Sequence, residues 1–254
     1  MGVTSKMGIT KGAQTFAKAW DCFNAQVFDY KNDTKNIAEF ALAERGNHAL
    51  RIIDLGCGAG HYDFLLTRLG YKCLGVDKNP DIIEYARHLY PSLNLRCCDI
   101  LSNQLESMGR FDMVLCKHLT FPFAKLKIVL RKARALAYNR EKSLLCFDFL
   151  VLDNDQKLAK EISSIAAIDN PEIKGKRESK FSLLNNCYVW NEKYSLNIKN
   201  SHKVVKFNNQ RKLYFITEQD ALWLLDETDI KIRKKLYEVS GIDGLTGMGI
   251  YGVM

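Results

Sequence analysis

Three glycines at alternate positions, 56, 58 and 60, directly follow an apolar run that contains Asp54. Glycine is needed where the main chain turns sharply or where a ligand packs against bare backbone. A dinucleotide-binding loop would need its third glycine at position 61, which is His61. A phosphate-binding loop would need the pattern G-x-x-x-x-G-K-[ST], which the sequence lacks. The spacing therefore indicates a tight turn that contacts a ligand of another kind.

The elements that must position this turn alternate between strands and helices. Residues 50–55 predict a buried strand and residues 61–69 a helix, and the theme repeats with a strand at 72–76 and a helix that begins near Pro80. Three more strands are predicted at 93–98, 111–116 and 143–150, and one more helix is predicted at 124–138. This alternation predicts a parallel sheet with helices on both faces. The loops after residues 55, 76, 98 and 116 then converge on one crevice.

The pattern changes after the fifth strand. A helix is predicted over residues 156–167, and the segment 181–215 loses the helical period. Polar turns there separate short antiparallel strands, predicted at 187–190, 194–198 and 204–207. A helix at 218–225 and strands at 230–239 and 248–253 complete the chain, and helices are expected before residue 45.

The glycine turn, residues 52–60, resembles motif I of the class I S-adenosylmethionine-dependent methyltransferases. The second strand ends in Gly75-Val76-Asp77, which resembles motif II of that family, and Cys98-Asp99-Ile100 resembles its third motif. Residues 111–118 resemble the motif IV strand and its outgoing loop. The resemblance covers about residues 50–150, with a looser match at 211–254.

The resemblance implies an α/β, Rossmann-like sheet of seven strands in the order 3-2-1-4-5-7-6, with the last strand antiparallel and a small antiparallel β subsheet inserted. It divides the chain into an N-terminal helical cap at 1–45 and a cofactor-binding core at 46–152 and 211–254. Residues 153–210 would form the insert, which is expected to contain a helix and to act as a lid or a dimerisation subsheet.

The resemblance also implies S-adenosylmethionine as cofactor and S-adenosylhomocysteine as product. Asp77 is expected to bind both ribose hydroxyls, Asp99 the adenine amino group, and Ile100 the adenine ring, with Lys78 over it. Asp54 is expected to act through the loop or at the amino-acid end of the cofactor. The remaining cofactor contacts are expected from main chain or side chains of Gly56, Cys57, Gly58, Gly60, Cys116 and Lys117.

Methyl transfer from a sulfonium is an in-line displacement with a good leaving group, so a universal catalytic residue is not required. His118 lies in the loop where cofactor and acceptor would meet, and its imidazole is the candidate general base. The alternative is that His118 packs against the cofactor or the crevice wall. Tyr30 resembles in position a tyrosine that closes over the cofactor, and a core tyrosine is the alternative.

The loop after the fourth strand narrows the range of possible methyl acceptors. It lacks the [DN]-P-P-[FYW] sequence of adenine- and amide-methylating subgroups and the Pro-Cys pair of the cytosine-C5 subgroup. We therefore expect a transferase that methylates a nitrogen or oxygen of a small-molecule metabolite. The insert would surround an anionic or aromatic acceptor with Arg177, Tyr188, Trp190 and Tyr194, unless it is merely a sheet with lysines on its solvent face.

The distribution of charge along the chain indicates an alternative function. The formal net charge is +8, and basic residues concentrate at 125–142 and 171–217. These stretches predict either solvated basic surfaces or contacts with phosphates. An RNA-directed methyltransferase or RNA-binding protein is therefore the second hypothesis, although no RRM, KH or zinc-ribbon signature is present.

The composition limits the class of protein and the cellular compartment that we expect. The 254 residues are 47% hydrophobic and 26% charged, which is typical of a globular chain that folds by burial. The eight cysteines lack metal-ligand spacing, so we expect no metal and reduced thiols in the cytoplasm. No secretory signal or membrane span is readable, so no membrane partner is expected. A homodimer is left open.

Overall fold

The computed structural model describes the chain in eight stretches: residues 11–46, 49–119, 121–139, 141–152, 158–185, 187–199, 203–239 and 245–254. In chain order, the helices within these stretches are α1 (Lys11–Asn24), α2 (Tyr30–Arg45), α3 (His61–Arg68), α4 (Pro80–Leu89), α5 (Phe123–Ala135) and α6 (Glu218–Glu227), with a 3-10 helix at Asn103–Met108. The strands are β1 (Arg51–Leu55), β2 (Lys72–Asp77), β3 (Leu95–Cys97), β4 (Met113–Cys116), β5 (Leu144–Leu152), β6 (Glu161–Asp169), β7 (Ile173–Leu184), β8 (Cys187–Ile198), β9 (Lys203–Tyr214), β10 (Lys231–Val239) and β11 (Leu245–Val253).

The main sheet has seven strands in the order β3-β2-β1-β4-β5-β11-β10. The first five strands of the chain pair in parallel, whereas β11 is antiparallel to both β5 and β10. This order is the predicted one, with β10 and β11 as the sixth and seventh strands. The fold prediction is therefore confirmed.

Helices cover both faces of this sheet because its central strands are apolar on both sides. One face packs against α5 and α6, with Val129 and Leu224 in its core. The other face packs against α2 and α3, with Ile37 and Leu66 in its core. No described helix is long and apolar enough to cross a membrane.

The insert is a second sheet of four antiparallel strands in the order β6-β7-β8-β9. Helix α1 packs on one of its faces, where Phe23 meets Tyr194, and the same sheet reaches the end of β5 through Phe181 and Leu150. The insert is therefore in contact with the core at the carboxyl end of β5.

Two sequence predictions about the insert are wrong. The predicted helix at 156–167 is strand β6 where the structure describes it, and residues 153–157 lie outside the described residues. Ile162, Ile165 and Ala166 have helical spacing, but pairing with β7 alternates their faces and leaves Ile165 exposed. The polar segment around Glu192, predicted as a turn, is the middle of β8. The insert strands are also longer than predicted, and β9 continues to Tyr214, past the expected end of the insert at residue 210.

Candidate functional site

The glycine turn joins β1 to α3 in a left-handed backbone conformation. Gly56, Gly58 and Gly60 have φ values of 81°, 54° and 78°, a region that side-chain-bearing residues rarely adopt. The N–H groups of Gly56 and Cys57 both donate to the Val76 carbonyl, at 2.7 and 3.0 Å. The turn is thus fastened to the end of β2, and these two N–H groups are not offered to a ligand.

Apolar side chains from two other elements lie against this turn. A Cβ at Gly56 would overlap the side chain of Leu119, from the loop after β4. A Cβ at Gly58 would lie 3.3 Å from the Trp20 ring of α1. The glycines are therefore required for close approach, and α1 acts as a cover over the turn.

Asp77 ends β2 beside the turn. Its Oδ2 accepts from the Gly58 N–H at 3.2 Å and its Oδ1 from the Asn79 N–H at 2.8 Å. Burial raises the pKa of this carboxyl. Gly58 is thus tied to the carboxylate that the sequence assigned to a ribose, which fixes the distance between the turn and that carboxylate.

The residues assigned to the adenine follow two neighbouring strands: Asp99 and Ile100 come after β3, and Lys78 comes after β2. Asp99 is exposed, and its Oδ1 accepts from the Leu101 N–H at 2.8 Å. Lys78 is exposed, and its carbonyl accepts from the Cys97 thiol. Ile100 is buried in the main core. These roles stay predictions.

Asp54 lies beneath the turn and faces a second carboxyl, Asp63 of α3, which the sequence analysis missed. Both residues are almost fully buried, at 2% and 1% exposure. Burial raises the pKa of Asp54 to about 7 and, with the charge of Asp54, raises that of Asp63 well above its ordinary range. The two carboxyls can share a proton, and a buried neutral acid supports the turn from below.

The loop after β4 is built on a buried ion pair. The Lys117 Nζ donates to Asp148 Oδ1 of β5 at 2.7 Å, and the side chain of Lys117 is only 2% exposed. Burial alone would lower the pKa of Lys117, but the charge of Asp148 raises it. The ammonium is therefore used to hold Asp148, so a cofactor contact by Lys117 would have to come from its main chain. Cys116 is buried beside it, and burial raises the pKa of its thiol.

His118 has a left-handed backbone, with φ 55°, although it is not a glycine. Such strain in a residue other than Gly, Asn or Asp persists only where the surroundings hold it, and it concentrates at functional sites. Here the His118 N–H donates to Asp148 Oδ2 at 2.9 Å, and the Phe28 ring stacks on the imidazole at 3.9 Å. The ring is thereby fixed at the edge of the sheet.

The His118 imidazole joins a cluster with three partners from distant parts of the chain. Its Nε2 lies 2.5 Å from the Tyr62 hydroxyl and 3.2 Å from Asp33 Oδ2, while its Nδ1 lies 3.5 Å from Asp148 Oδ2. The Tyr62 hydroxyl donates to Asp33 at 2.5 Å. Burial alone would raise the pKa of Asp33, but the hydrogen bond from His118 and the charge of Lys117 lower it to about 2. Asp33 is therefore ionised at neutral pH.

Sequence reasoning found His118 but none of its partners. Tyr62 and Asp33 come from α3 and α2, and no spacing links them to residue 118. One signal was available for Asp148, because it interrupts the apolar run of β5, and a carboxylate in such a strand requires a partner.

A second histidine cluster joins α1 to the core. His61, the first residue of α3, has Nε2 at 2.7 Å from Asp21 Oδ1 and Nδ1 at 2.9 Å from the Tyr90 hydroxyl. The Tyr85 hydroxyl also donates to Asp21, at 3.0 Å. Tyr30, the predicted positioning residue, packs on His61 at 4.5 Å, and burial raises the pKa of its hydroxyl. This cluster holds α1 where Trp20 covers Gly58.

The structure separates the predicted acceptor residues into two groups. Arg177, Trp190 and Tyr194 surround the buried carboxylate of Glu192. Tyr188 is fully buried further along β8, where its hydroxyl donates to the Ala159 carbonyl at 2.7 Å. Tyr188 is therefore a packing residue of the insert in this structure.

Comparison with known proteins identifies the family and the fold. A family model described as a methyltransferase domain matches residues 47–210. Ubiquinone biosynthesis O-methyltransferase of Bradyrhizobium diazoefficiens is 30% identical over 93 residues, which are 34% of this chain and 35% of that protein. The match thus spans about a third of the length of this curated relative.

Two solved structures share the fold. DesVI of Streptomyces venezuelae superposes with a TM-score of 0.74 at 14% identity, over 94% of this chain and 98% of that one. CalS10 of Micromonospora echinaspora, an amino pentose methyltransferase with S-adenosylmethionine bound, superposes with a TM-score of 0.69 at 15% identity, over 99% and 100% of the two chains. Because the family model covers more than half of the chain and the fold agrees with it, the chain belongs to the methyltransferase-domain family and has the fold of the class I methyltransferases.

Proposed function

We propose that this chain transfers a methyl group from S-adenosylmethionine to a nitrogen or oxygen of a small molecule, with His118 as the general base. The observation that carries the proposal is the His118 cluster at the carboxyl edge of the sheet. A strained, 16% exposed imidazole held between two carboxylates is suited to take a proton from an acceptor.

The residues around the glycine turn fit the cofactor. The glycines bring bare main chain against the apolar side chains of Leu119 and Trp20, which would line the cofactor on this side of the turn. Asp77 stands beside the turn, where its carboxylate would hold the ribose hydroxyls. When bound, S-adenosylmethionine supplies a methyl group activated by a positively charged sulfur. The buried Asp54–Asp63 pair would hold the turn in place, and because the two carboxyls share a proton they would not both be negatively charged.

The partners of His118 set the nitrogen that accepts the proton. The Nε2–H group faces the ionised Asp33 and the Tyr62 oxygen, both of which can accept from it. The lone pair of the imidazole therefore lies on Nδ1. The cofactor would supply the methyl group, and Nδ1 of His118 would take the proton that the acceptor atom loses when it is methylated. Asp148, 3.5 Å from Nδ1, then stabilises the imidazolium, and Lys117 keeps Asp148 in position.

The named relatives support nitrogen or oxygen acceptors. One is an O-methyltransferase of ubiquinone biosynthesis and another an amino pentose methyltransferase. We also propose a cytoplasmic location, because all eight cysteines lie among the described residues and are free thiols.

No observation favours the RNA alternative. Within the described residues, three of the seven basic residues of 125–142 pair with acids: Lys127 with Glu227, Lys132 with Glu106 and Arg134 with Asp229. In the stretch 171–217, two arginines turn inward to Glu192. The surface charge available for phosphates is thus smaller than the sequence suggests.

Calorimetric titration with S-adenosylhomocysteine tests the cofactor site. We expect Asp77→Ala to lose about 2–3 kcal/mol of binding free energy, because two hydroxyl contacts to a carboxylate are removed. Asp226→Ala, an exposed acid of α6, is the matched control and should bind normally. Unchanged affinity in Asp77→Ala would remove Asp77 from the site, and no binding by folded wild-type protein would overturn the proposed function.

A further inference from the structure

The insert carries a cluster of polar side chains on the side that packs against α1 and the end of β5. We call this side the inner face; strand register places Arg177, Ser179, Trp190, Glu192 and Arg211 on it. Ser179 lies opposite Glu192, and Trp190 lies opposite Arg211. Three of these residues are at least nine-tenths buried: Arg177, Ser179 and Glu192.

Glu192 is already saturated by its neighbours. It accepts from the Tyr194 hydroxyl at 2.8 Å, from Asn209 Nδ2 at 2.8 Å and from Arg211 Nη2 at 3.3 Å. Arg177 Nη1 stands 3.6 Å away, beyond hydrogen-bond distance. The inner face therefore holds two guanidinium groups and one carboxylate, which leaves an excess positive charge in a buried place.

Several donors of this face have no hydrogen-bond partner among the described residues. They are buried atoms of four side chains: Arg177 Nε and Nη1, Ser179 Oγ, Trp190 Nε1 and Arg211 Nε. Leaving a buried donor unpaired costs about 1–3 kcal/mol, and more for a charged group. Four such side chains on one face are unusual for a merely structural network, whose members pair with one another.

We propose that Arg177, Ser179, Trp190 and Arg211 form a binding site for an oxyanion, a phosphate or carboxylate group carried by the methyl acceptor. Such a group accepts several hydrogen bonds, and its negative charge would neutralise the second guanidinium, which has no carboxylate of its own. The guanidinium of arginine donates charge-assisted hydrogen bonds to such oxyanions, and Nε and Nη1 of Arg177 are two donors without a partner among the described residues. This inference rests on the proposed function, since it names the class of acceptor.

The position of the inner face relates it to His118. Arg177 lies over the Phe23 ring of α1 at 5.1 Å, and Phe28, five residues further, stacks on His118. Trp190 packs in the cluster that contains Leu150, two residues beyond Asp148 on β5. Both flanks of the inner face are thus connected along the chain to residues that contact His118. The Arg211 side chain is 31% exposed, so the cluster reaches solvent at this residue.

Calorimetric titration with inorganic phosphate and with acetate tests the site, with and without S-adenosylhomocysteine. Wild-type protein should bind at least one anion, and Arg177→Gln and Arg211→Gln should weaken that binding at least about tenfold. Lys176→Gln removes the same charge from the opposite face of β7 and should leave binding unchanged. Preference for phosphate would indicate a phosphorylated acceptor, and preference for acetate a carboxylated one.

Ser179→Ala and Trp190→Phe keep the test valid if the arginine variants fold poorly, because each removes an unpartnered donor and no existing hydrogen bond. Each should weaken anion binding about three- to tenfold, and Ser179→Ala should do so without lowering the melting temperature. Equal anion affinity in wild type and all four variants, or no saturable binding by wild-type protein, would overturn the site. Arginine-dependent anion binding by a protein that fails to bind S-adenosylhomocysteine would overturn the proposed function alone.

Discussion

The carboxyl edge of the seven-stranded sheet and the inner face of the insert treat their charges differently. At the edge, His118 is held by Asp33, Tyr62 and Asp148, and the ammonium of Lys117 completes that network. On the inner face, Arg177 and its neighbours keep donors without partners in the described part of the chain. The polar groups at the edge are thus paired with one another, whereas the inner face leaves buried donors without partners. Under our two proposals, proton transfer and acceptor recognition lie in separate sheets.

Replacing His118 breaks the edge most directly. Asparagine tolerates the left-handed backbone at this position, so His118→Asn should keep the loop and lose the base. We expect kcat to fall about 100- to 1000-fold with little change in S-adenosylhomocysteine affinity. Single-turnover assays on an accepted substrate measure this, with exposed His88→Asn as the control. Full activity in His118→Asn would exclude the general-base role.

Replacing Asp33 tests whether the edge positions the base through its charge. Asp33→Asn keeps the shape but removes the carboxylate that faces Nε2, so the imidazolium is less stabilised. We expect kcat to fall about tenfold while KM is unchanged, because Asp33 acts only through His118. Glu39→Gln removes a charge from the exposed side of the same helix and should behave as wild type. A change in KM alone would assign Asp33 to acceptor binding instead.

The buried carboxyl pair predicts a pH dependence of stability. Because burial raises the pKa of Asp54 to about 7, the folded protein binds more protons at Asp54 than the unfolded chain does between about pH 4 and pH 7. The stability that depends on protonated Asp54 is therefore fully present below about pH 4 and is lost as pH rises through about 7, and the raised pKa of Asp63 adds a loss in the same direction.

Asp63→Asn should reduce that loss. We expect it to raise the free energy of unfolding at pH 8 by about 1–3 kcal/mol relative to wild type, with less difference at pH 5. Thermal unfolding at the two pH values measures the effect, and Asp226→Asn serves as the exposed control. Parallel pH curves for wild type and Asp63→Asn would contradict the shared proton.

The smallest effect is expected where α1 meets the core. Asp21→Asn weakens the contact with His61, so S-adenosylhomocysteine should bind more weakly by about 1 kcal/mol. A double-mutant cycle with His61→Gln separates the pair from its surroundings, because the second change should add little once Asp21 is altered. Fully additive effects would show that the pair does not couple α1 to the turn.

The main sheet was predictable because its signals are local. The turn at residues 56–60 and Asp77 lie within 25 residues of each other, and the glycine conformation follows from nearby sequence. The strand order was implied by the family resemblance that these local motifs carry. The partners of His118 were not predictable, since only the packing of α2, α3 and β5 brings Asp33, Tyr62 and Asp148 together.

The inner face of the insert was not predicted from the sequence for a different reason. Glu192 lies in a polar segment, Asn191-Glu192-Lys193, that reads as a turn by composition. Pairing on both sides, with Ser179 of β7 and Asn209 of β9, keeps it in a strand and turns its side chain inward. A buried charge in a strand is stable only with partners that the local sequence does not contain.

Helix α1 contacts both regions. Trp20 lies against Gly58, and one turn further Phe23 lies under Arg177. Any displacement of α1 that uncovers the glycine turn also disturbs the inner face, so the free energy of docking this helix is shared by cofactor and acceptor. Occupancy of either region should therefore raise the affinity of the other by the same factor, and turnover would include the undocking of α1 as a step of its own.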